Sequence, residues 1–318
     1  MGVRVSGYEV FRFKEGSLFS WSGFLRRVIH PLHVPDIDVR LYVNLNADSD
    51  PFLVSVNNLF DDEVALVYYF ISSTISRLWN RPVKSCRRIH RFIQARLIDY
   101  VIKRVEKNGL FLAICKYTAG KFEEACGIRP KILYGSINGS TYKWRGEKKE
   151  DYIVSMGRLD PYKRYEYAIL AAKAIQKKLI ILGAPCNEEY CNMLIRLIRR
   201  IGVNDRVNVL VGLSSEERAS ILKRAKVFLH CSVEGFSKAV AEAMAAGCIP
   251  VVPRTGGQSE YTPQEFQYSS FDEMLQKIEE AFNSSQGVPQ YLSEKAMFFD
   301  LPRYKTRFIN LLREEQLI

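Results

Sequence analysis

The chain has 318 residues, 47% of them apolar, and a formal net charge of +11. That length suffices for a sizeable core in roughly two domains, and the composition excludes collagenous, disordered and disulfide-stapled classes. The charge is uneven: residues 1–150 carry 24 basic and 15 acidic side chains, the remainder 22 and 20. The first half is therefore the one suited to a polyanion such as an anionic lipid surface, a nucleic acid or a phosphorylated acceptor.

The N-terminal stretch MGVRVSGYEVFRFKEG is interrupted by Arg4, Glu9, Arg12 and Lys14 and does not read as a signal peptide. Gly2 with Ser6 fits a myristoylation pattern that is short and common by chance. The longest apolar run, near Val64–Ile71, falls far short of the roughly 20 residues that span a bilayer. A cytoplasmic protein is expected, peripheral at most on the cytoplasmic face of a membrane. Val39–Asn44, Val64–Ile71 and Leu110–Ile114 are strand candidates. Arg77–Lys107 reads as a helix interrupted at Pro82, with ten basic residues against Asp99 and Glu106 and with Trp79, Phe92 and Tyr100 interleaved. It can be a solvated basic face, a nucleic-acid contact or a surface that lies on an anionic membrane. Residues 138–150 are polar and glycine-bearing, and read as a linker.

From there strand-like and helix-like blocks alternate. Strands are expected at Asp151–Met156, Lys178–Leu182, Arg206–Val211, Val227–Cys231 and Cys248–Val252. Helices are expected at Tyr162–Lys177, Glu188–Ile201, Ser214–Ala225 with Ser214 as N-cap, and Ser237–Ala246 closed by Gly247. Ser293–Leu317 reads as one or two amphipathic helices. Such alternation implies a parallel sheet covered on both faces, with ligands bound beyond the carboxyl ends of the strands.

Two strand-end loops carry candidate chemistry. In GRLDPYKR, Gly157 and Arg158 end a strand and Lys163 is expected in the first turn of the next helix. Two cations on one loop can grip a diphosphate, helped by the positive end of that helix; the alternative is a turn with solvated charges. In EGFSKAVAEAMAAG, Glu234 closes a loop after a strand and Glu242 lies one and a half turns into the following helix. Its side chain leans back toward the helix start, so the two carboxylates suit the hydroxyls at either end of a sugar nucleotide. Gly235 permits close backbone approach, and the N–H groups around Phe236, Ser237 and Lys238 can bond phosphate or sugar oxygens. Leu213, with Gly212, is expected near the base, which pocket shape and backbone groups would read. A solvated pair of helix glutamates is the plain alternative.

GRLDPYKR, EGFSKAVAEAMAAG and a Thr255-Gly-Gly-x-x-Glu260 loop, in this order, resemble the family-4 retaining glycosyltransferases of the GT-B fold over residues 150–262. FLAICKYTAGKFEEACGI is similar to that family's crossing region, and VYYFISSTIS to its lipid-linked-oligosaccharide mannosyltransferases. The resemblance implies an α/β fold of two Rossmann-like domains facing across a cleft, each with a parallel sheet covered by helices: residues 1–140 on the acceptor side, 141–292 binding the nucleotide-sugar donor, and 293–318 crossing back. It implies Arg158 and Lys163 on the donor phosphates, Glu234 beside the transferred sugar and Glu242 on the ribose. It also implies a hexose moved from a UDP- or GDP-linked donor to a glycan or lipid-linked acceptor, with no cofactor and no metal. Ser237 stands where glycine is usual and Lys238 where an apolar residue is common. The His usual near Val67–Ser76 is missing, and a donor loop at Gly16–Ser17 or Ser22–Gly23 is not clear.

His30 and His33, and the pairs Asp36/Asp38 and Asp48/Asp50, lack the company a metal needs and sit in the wrong half. His230 is expected as a core histidine, and Cys186 and Cys191 as structural. The seven cysteines show no CxxC and read as free thiols of a reducing compartment. The rival to an enzyme is a degenerate, non-catalytic relative of the same fold that holds a membrane or a nucleic acid through its basic half, nucleic acid being the weaker partner. A dinucleotide oxidoreductase is disfavoured, because no GxGxxG follows a strand.

Overall fold

The computed structural model describes residues 4–5, 8–11, 37–44, 52–58, 112–126, 129–184 and 188–315. The chain divides into two compact units, Met1–Leu133 with Arg307–Ile318, and Tyr134–Thr306. Val64–Ile71, Arg77–Lys107, the two glycine-bearing donor-loop candidates, His30, His33, Asp36, Asp48, Asp50, Cys86 and Cys186 lie outside the described residues.

In the first unit, β1 (Arg4–Val5), β2 (Tyr8–Phe11), β3 (Ile37–Asn44) and β4 (Phe52–Asn58) form an antiparallel sheet in chain order. This differs from the parallel sheet expected for this half. The sequence between β3 and β4 is only residues 45–51, ending in Pro51, and a parallel crossover needs a dozen residues or more. A parallel pair does occur further on, where β5 (Leu112–Ala113) runs beside β6 (Lys131–Ile132) across helix α1 (Lys116–Cys126).

The second unit carries the site. After the short helix α2 (Gly139–Tyr142) come β7 (Glu150–Arg158), α3 (Tyr165–Ala174), β8 (Lys178–Ala184), α4 (Glu188–Arg200), β9 (Val207–Val211), α5 (Ser215–Arg224), β10 (Ala225–Leu229), α6 (Lys238–Ala245), β11 (Ile249–Pro253), β12 (Gln267–Tyr268), α7 (Phe271–Phe282), α8 (Val288–Ala296) and α9 (Leu301–Glu314). The last helix begins in the second unit and belongs to the first from Arg307 on. Residues 138–150 are packed rather than loose: Tyr142 is buried, and the Trp144 indole donates to the Glu147 carbonyl at 2.9 Å. One aromatic of a polar stretch is buried in the core and the other is held at its edge.

The six strands form one parallel sheet in the order β12-β11-β10-β7-β8-β9. Its central strands are apolar on both faces, with Ile153, Val154, Leu179, Ile181, Val227, Phe228 and Val251 buried, as helices on both sides require. The order reverses between β7 and β10, so a crevice opens outside the carboxyl ends of those two strands. Gly157 and Gly183 lie opposite each other at that edge, where Leu159 folds over Gly183 and leaves no room for a side chain there. Helix α6 packs on the sheet through Val240, Ala241, Ala243, Met244 and Ala245, all fully buried. It closes on Gly247 at φ +73°, the left-handed position that glycine takes without strain.

Candidate functional site

The first half of the site grows from the end of β7. Asp160 accepts the Tyr162 N–H at 2.8 Å, and Pro161 starts a single 3₁₀ turn over Pro161–Lys163. Arg164, at φ +55°, ends that turn and sets α3 off in a new direction. Lys163 therefore precedes the helix instead of lying in its first turn as expected. Nor is the start of α3 free for a ligand: its Tyr165 N–H donates to the Tyr190 hydroxyl at 2.9 Å, and Tyr190 donates to Glu166 at 2.6 Å. Within the crevice the Lys163 side chain turns back across Gly157. A Cβ at position 157 would sit 3.2 Å from Lys163 Cε and 3.0 Å from the Tyr165 hydroxyl, at a φ of +152°. The Arg158 side chain is exposed and forms no ion pair with any described residue.

The second half follows β10. Lys163 Nζ bonds Glu234 Oε1, both side chains being almost buried, and the Tyr162 hydroxyl donates to the Val233 carbonyl. Neighbouring residues of one loop thus hold neighbouring residues of the other. Glu234 Oε1 also accepts from the Ser232 hydroxyl at 2.6 Å and lies 3.4 Å from His230 Nε2. Burial by itself would raise the Glu234 carboxyl; the charges of His230 and Lys163, with the Lys163 and Ser232 hydrogen bonds, overcome it and push it down to about 2. His230, lowered to about 4 chiefly by burial, is neutral near pH 7, so at that pH Lys163 and Ser232 hold the charge. The backbone of the loop is fixed from β11: Gly257 N–H donates to the Glu234 carbonyl at 2.8 Å, and the buried Gln258 amide accepts the Glu234 N–H at 3.3 Å.

Beyond Gly235 the Phe236 ring turns away from the charged groups. It packs 5.5 Å from Tyr261 and 5.1 Å from Phe299, and a Cβ on Gly135 would meet it at 2.5 Å. Its side chain is an anchor for the loop, leaving only its backbone for a ligand. Ser237 is the N-cap residue of α6, yet its hydroxyl is buried without a partner and does not cap the helix.

A second charged group lies deeper along α6. Glu242 is buried and faces Lys238, one turn before it, and Arg218 of α5. Burial pushes its carboxyl up to about 7 against both cations. Arg218 is itself held by the Leu213 carbonyl at 2.8 Å and the Ser215 hydroxyl at 3.0 Å. The Leu213 carbonyl considered for base contact is thus already engaged. Ser214 caps α5 in a reciprocal box with Glu217, as expected at Ser214.

Gly157, Lys163 and Glu234 are therefore brought together, with Arg158 on the same loop, while Glu242 belongs to a neighbouring cluster with Lys238 and Arg218. Tyr162, Ser232 and Gln258 were not singled out from the sequence, and His230, buried as the core histidine expected, also meets Glu234. A signal existed for two of them, since His230, Ser232 and Glu234 alternate at the period of two that puts extended-chain side chains on one side. Among the described residues no three His, Cys, Asp or Glu side chains gather as metal ligands, and no helix is long and apolar enough to cross a membrane. Cys115, Cys191, Cys231 and Cys248 are free thiols.

With this geometry in view, residues 141–295 match the family described as glycosyl transferases group 1. The chain is 25% identical over 133 residues to the GDP-Man:Man(3)GlcNAc(2)-PP-Dol alpha-1,2-mannosyltransferase of Dictyostelium discoideum, across 37% of this chain. It spans about a quarter of the length of that curated relative, 26%. Among solved structures, Anabaena Alr3699/HepE in complex with UDP and glucose is similar at a TM-score of 0.58 and 19% identity, over 68% of this chain and 66% of that one. Sucrose-phosphate synthase of Thermosynechococcus elongatus is similar at 0.60 and 16%, over 70% and 61%. These likenesses are of fold: an α/β architecture of the GT-B glycosyltransferase type.

Proposed function

We propose that the protein is a retaining, metal-independent glycosyltransferase that moves a hexose from a nucleoside-diphosphate sugar to a glycan or lipid-linked acceptor. The observation that carries this is the meeting of Gly157, Lys163 and Glu234 at the carboxyl ends of β7 and β10, where the strand order reverses. An ammonium has three N–H donors, so Lys163 can keep Glu234 and still donate to a phosphate oxygen. Arg158, exposed on the same loop, supplies a second positive charge. Departure of the nucleoside diphosphate builds negative charge on its terminal phosphate, and the held Lys163 ammonium, with Arg158 drawn in from the same loop, stabilises it there; in this reading they fill the place of a metal ion. Glu234, held ionised, accepts hydroxyl protons of the sugar and positions it. Retention follows from attack on the face that the diphosphate leaves. Glu242, beside Arg218, takes the ribose hydroxyls. Support for a UDP or GDP donor comes from the UDP-bound and GDP-mannose-using proteins named above, and the dolichol-linked acceptor of the latter supports a lipid-linked acceptor at the cytoplasmic face of a membrane. The basic Arg77–Lys107 sequence suits an anionic surface there.

The test is a panel of UDP, GDP and ADP with their sugars, read by calorimetry and by donor-sugar hydrolysis without acceptor. Binding of one nucleoside diphosphate with slow release of its sugar is the expected result. No binding of any, with wild-type protein shown to be folded, rejects the reading.

A further inference from the structure

We propose that His230 and Ser232 are positioning residues that commit one oxygen of Glu234 to the protein, so that the other alone faces the sugar. The proposal rests on the transferase reading for what Glu234 meets, and on geometry for how it is held. Three groups converge on Oε1: the Lys163 ammonium, the Ser232 hydroxyl at 2.6 Å and His230 Nε2 at 3.4 Å. No described residue bonds Oε2. His230 Nε2 is also 3.3 Å from the Ser232 hydroxyl oxygen. A carboxylate only accepts, and the Ser232 proton is directed to Oε1. The proton of this edge therefore sits on Nε2 and is directed to the hydroxyl oxygen, with the carboxylate 3.4 Å away. His230 is stacked on Phe228 with ring centroids 6.5 Å apart and is buried, so its edge cannot swing away.

Two hydrogen bonds, from Lys163 and Ser232, fill the two lone pairs of an sp² oxygen, and the buried His230 edge lies 3.4 Å beyond them. Rotation of the carboxylate would break a hydrogen bond to a buried charge, at a cost larger than for a neutral pair. Oε2 is then presented in one orientation, able to accept and unable to donate, which selects a sugar hydroxyl. A water or a freely turning carboxylate would not hold the sugar within the narrow geometry that transfer demands.

The experiment compares Ser232→Ala, Ser232→Thr, His230→Leu and His230→Gln with wild type, each checked by thermal unfolding. Nucleoside-diphosphate affinity, which does not involve the sugar, is measured by calorimetry. Donor turnover gives kcat and KM, and a carbon-detected NMR titration of Glu234 is run on the unliganded protein. Expected are a fall in kcat of about tenfold to a hundredfold for Ser232→Ala, diphosphate affinity within about twofold of wild type, and recovery in Ser232→Thr, which keeps the hydroxyl. Glu234 should titrate at higher pH in Ser232→Ala, and His230→Gln, which keeps an N–H, should outperform His230→Leu. Unchanged kcat and unchanged Glu234 titration in folded Ser232→Ala overturn the proposal. So does an equal loss of diphosphate affinity and turnover, because that marks a collapsed site. If wild type binds no nucleoside diphosphate while the Glu234 titration shifts as expected, the transferase reading fails and the positioning of the carboxylate stands.

Discussion

Two glutamates eight residues apart, one buried and one nearly so, are driven in opposite directions. Glu234 is pushed down to about 2 and Glu242 up to about 7, and burial opposes the charge of each. The difference lies in contact. Glu234 has a lysine and a hydroxyl bonded directly to one oxygen. Glu242 has Lys238 and Arg218 nearby, but no described residue hydrogen-bonds its carboxyl, and Arg218 turns two of its N–H groups to the Leu213 carbonyl and the Ser215 hydroxyl. A nearby cation does not offset desolvation; a bonded one does. One end of the site is thus finished without a ligand, and the other is left short of partners that a ribose hydroxyl could supply.

The strongest way to break this comparison is at the finished end. Arg158→Ala and Lys163→Ala should each lower turnover by roughly 10²–10³-fold if they act as preformed charge stabilisers. Lys163→Ala should also destabilise the fold, by about 1–3 kcal/mol, since it leaves the nearly buried Glu234 charge with the Ser232 hydroxyl but no cation bonded to it. Arg158→Ala, at an exposed position, should leave the unfolding temperature unchanged. Steady-state rates beside thermal unfolding separate the two effects, and unchanged turnover in both variants removes the clamp.

The unfinished end makes the next largest difference. Glu242 ordinarily titrates near 4.5 and in the fold near 7. Its raised value means that the native state favours the neutral form, so that contribution is complete below about pH 4.5 and is lost as pH rises through 7. Glu242→Gln should therefore raise stability at pH 8 by up to about 3 kcal/mol and change little at pH 4. Denaturant titrations at the two pH values measure this, and equal effects at both would show that burial does not govern Glu242. In wild type, a ligand hydroxyl donated to Glu242 should make nucleoside-diphosphate affinity rise with pH through 7.

A smaller effect tests how closely the loops meet. Gly157→Ala puts a methyl against Lys163 Cε and the Tyr165 hydroxyl, and should cost about tenfold in turnover by displacing the ammonium, or about 1–2 kcal/mol if the backbone yields instead. Smallest of all, Ser214→Ala removes the cap of the helix that carries Arg218 and should cost about 1 kcal/mol by thermal unfolding.

The strand–helix alternation of the second unit was legible because parallel strands buried on both faces read as short apolar runs, and because Ser214 and Gly247 mark helix ends by local chemistry. Lys163, Glu234 and Gly157 were legible as a group for the same reason: strand-end loops of a parallel sheet converge. The turn holding Lys163 was not, since Asp160, Pro161 and a left-handed Arg164 decide together what each alone leaves open. The backbone of Phe236 was considered for a ligand because it precedes a helix start; what its ring does was not legible, since its partners Tyr261 and Phe299 are distant in sequence. The antiparallel β1–β4 sheet was obscured because the parallel sheet of that half was taken from the family resemblance, and because β4, seven residues after β3, was not read as a strand. His230 was taken as plain core because a strand histidine usually is, while its alternation with Ser232 and Glu234 went unused.

Gln258 imposes a constraint of another kind. Its amide oxygen takes the Glu234 N–H, and its nitrogen donates to the Thr255 carbonyl at 2.8 Å and the Ser232 carbonyl at 3.4 Å. Gly256, at φ +110°, leaves no space there for a methyl. Two loops from different strands are thereby spliced through a single side chain whose two ends have opposite polarity. Neither loop can gain or lose a residue without the other, so variation in this protein's relatives should appear as paired length changes after β10 and β11, or not at all.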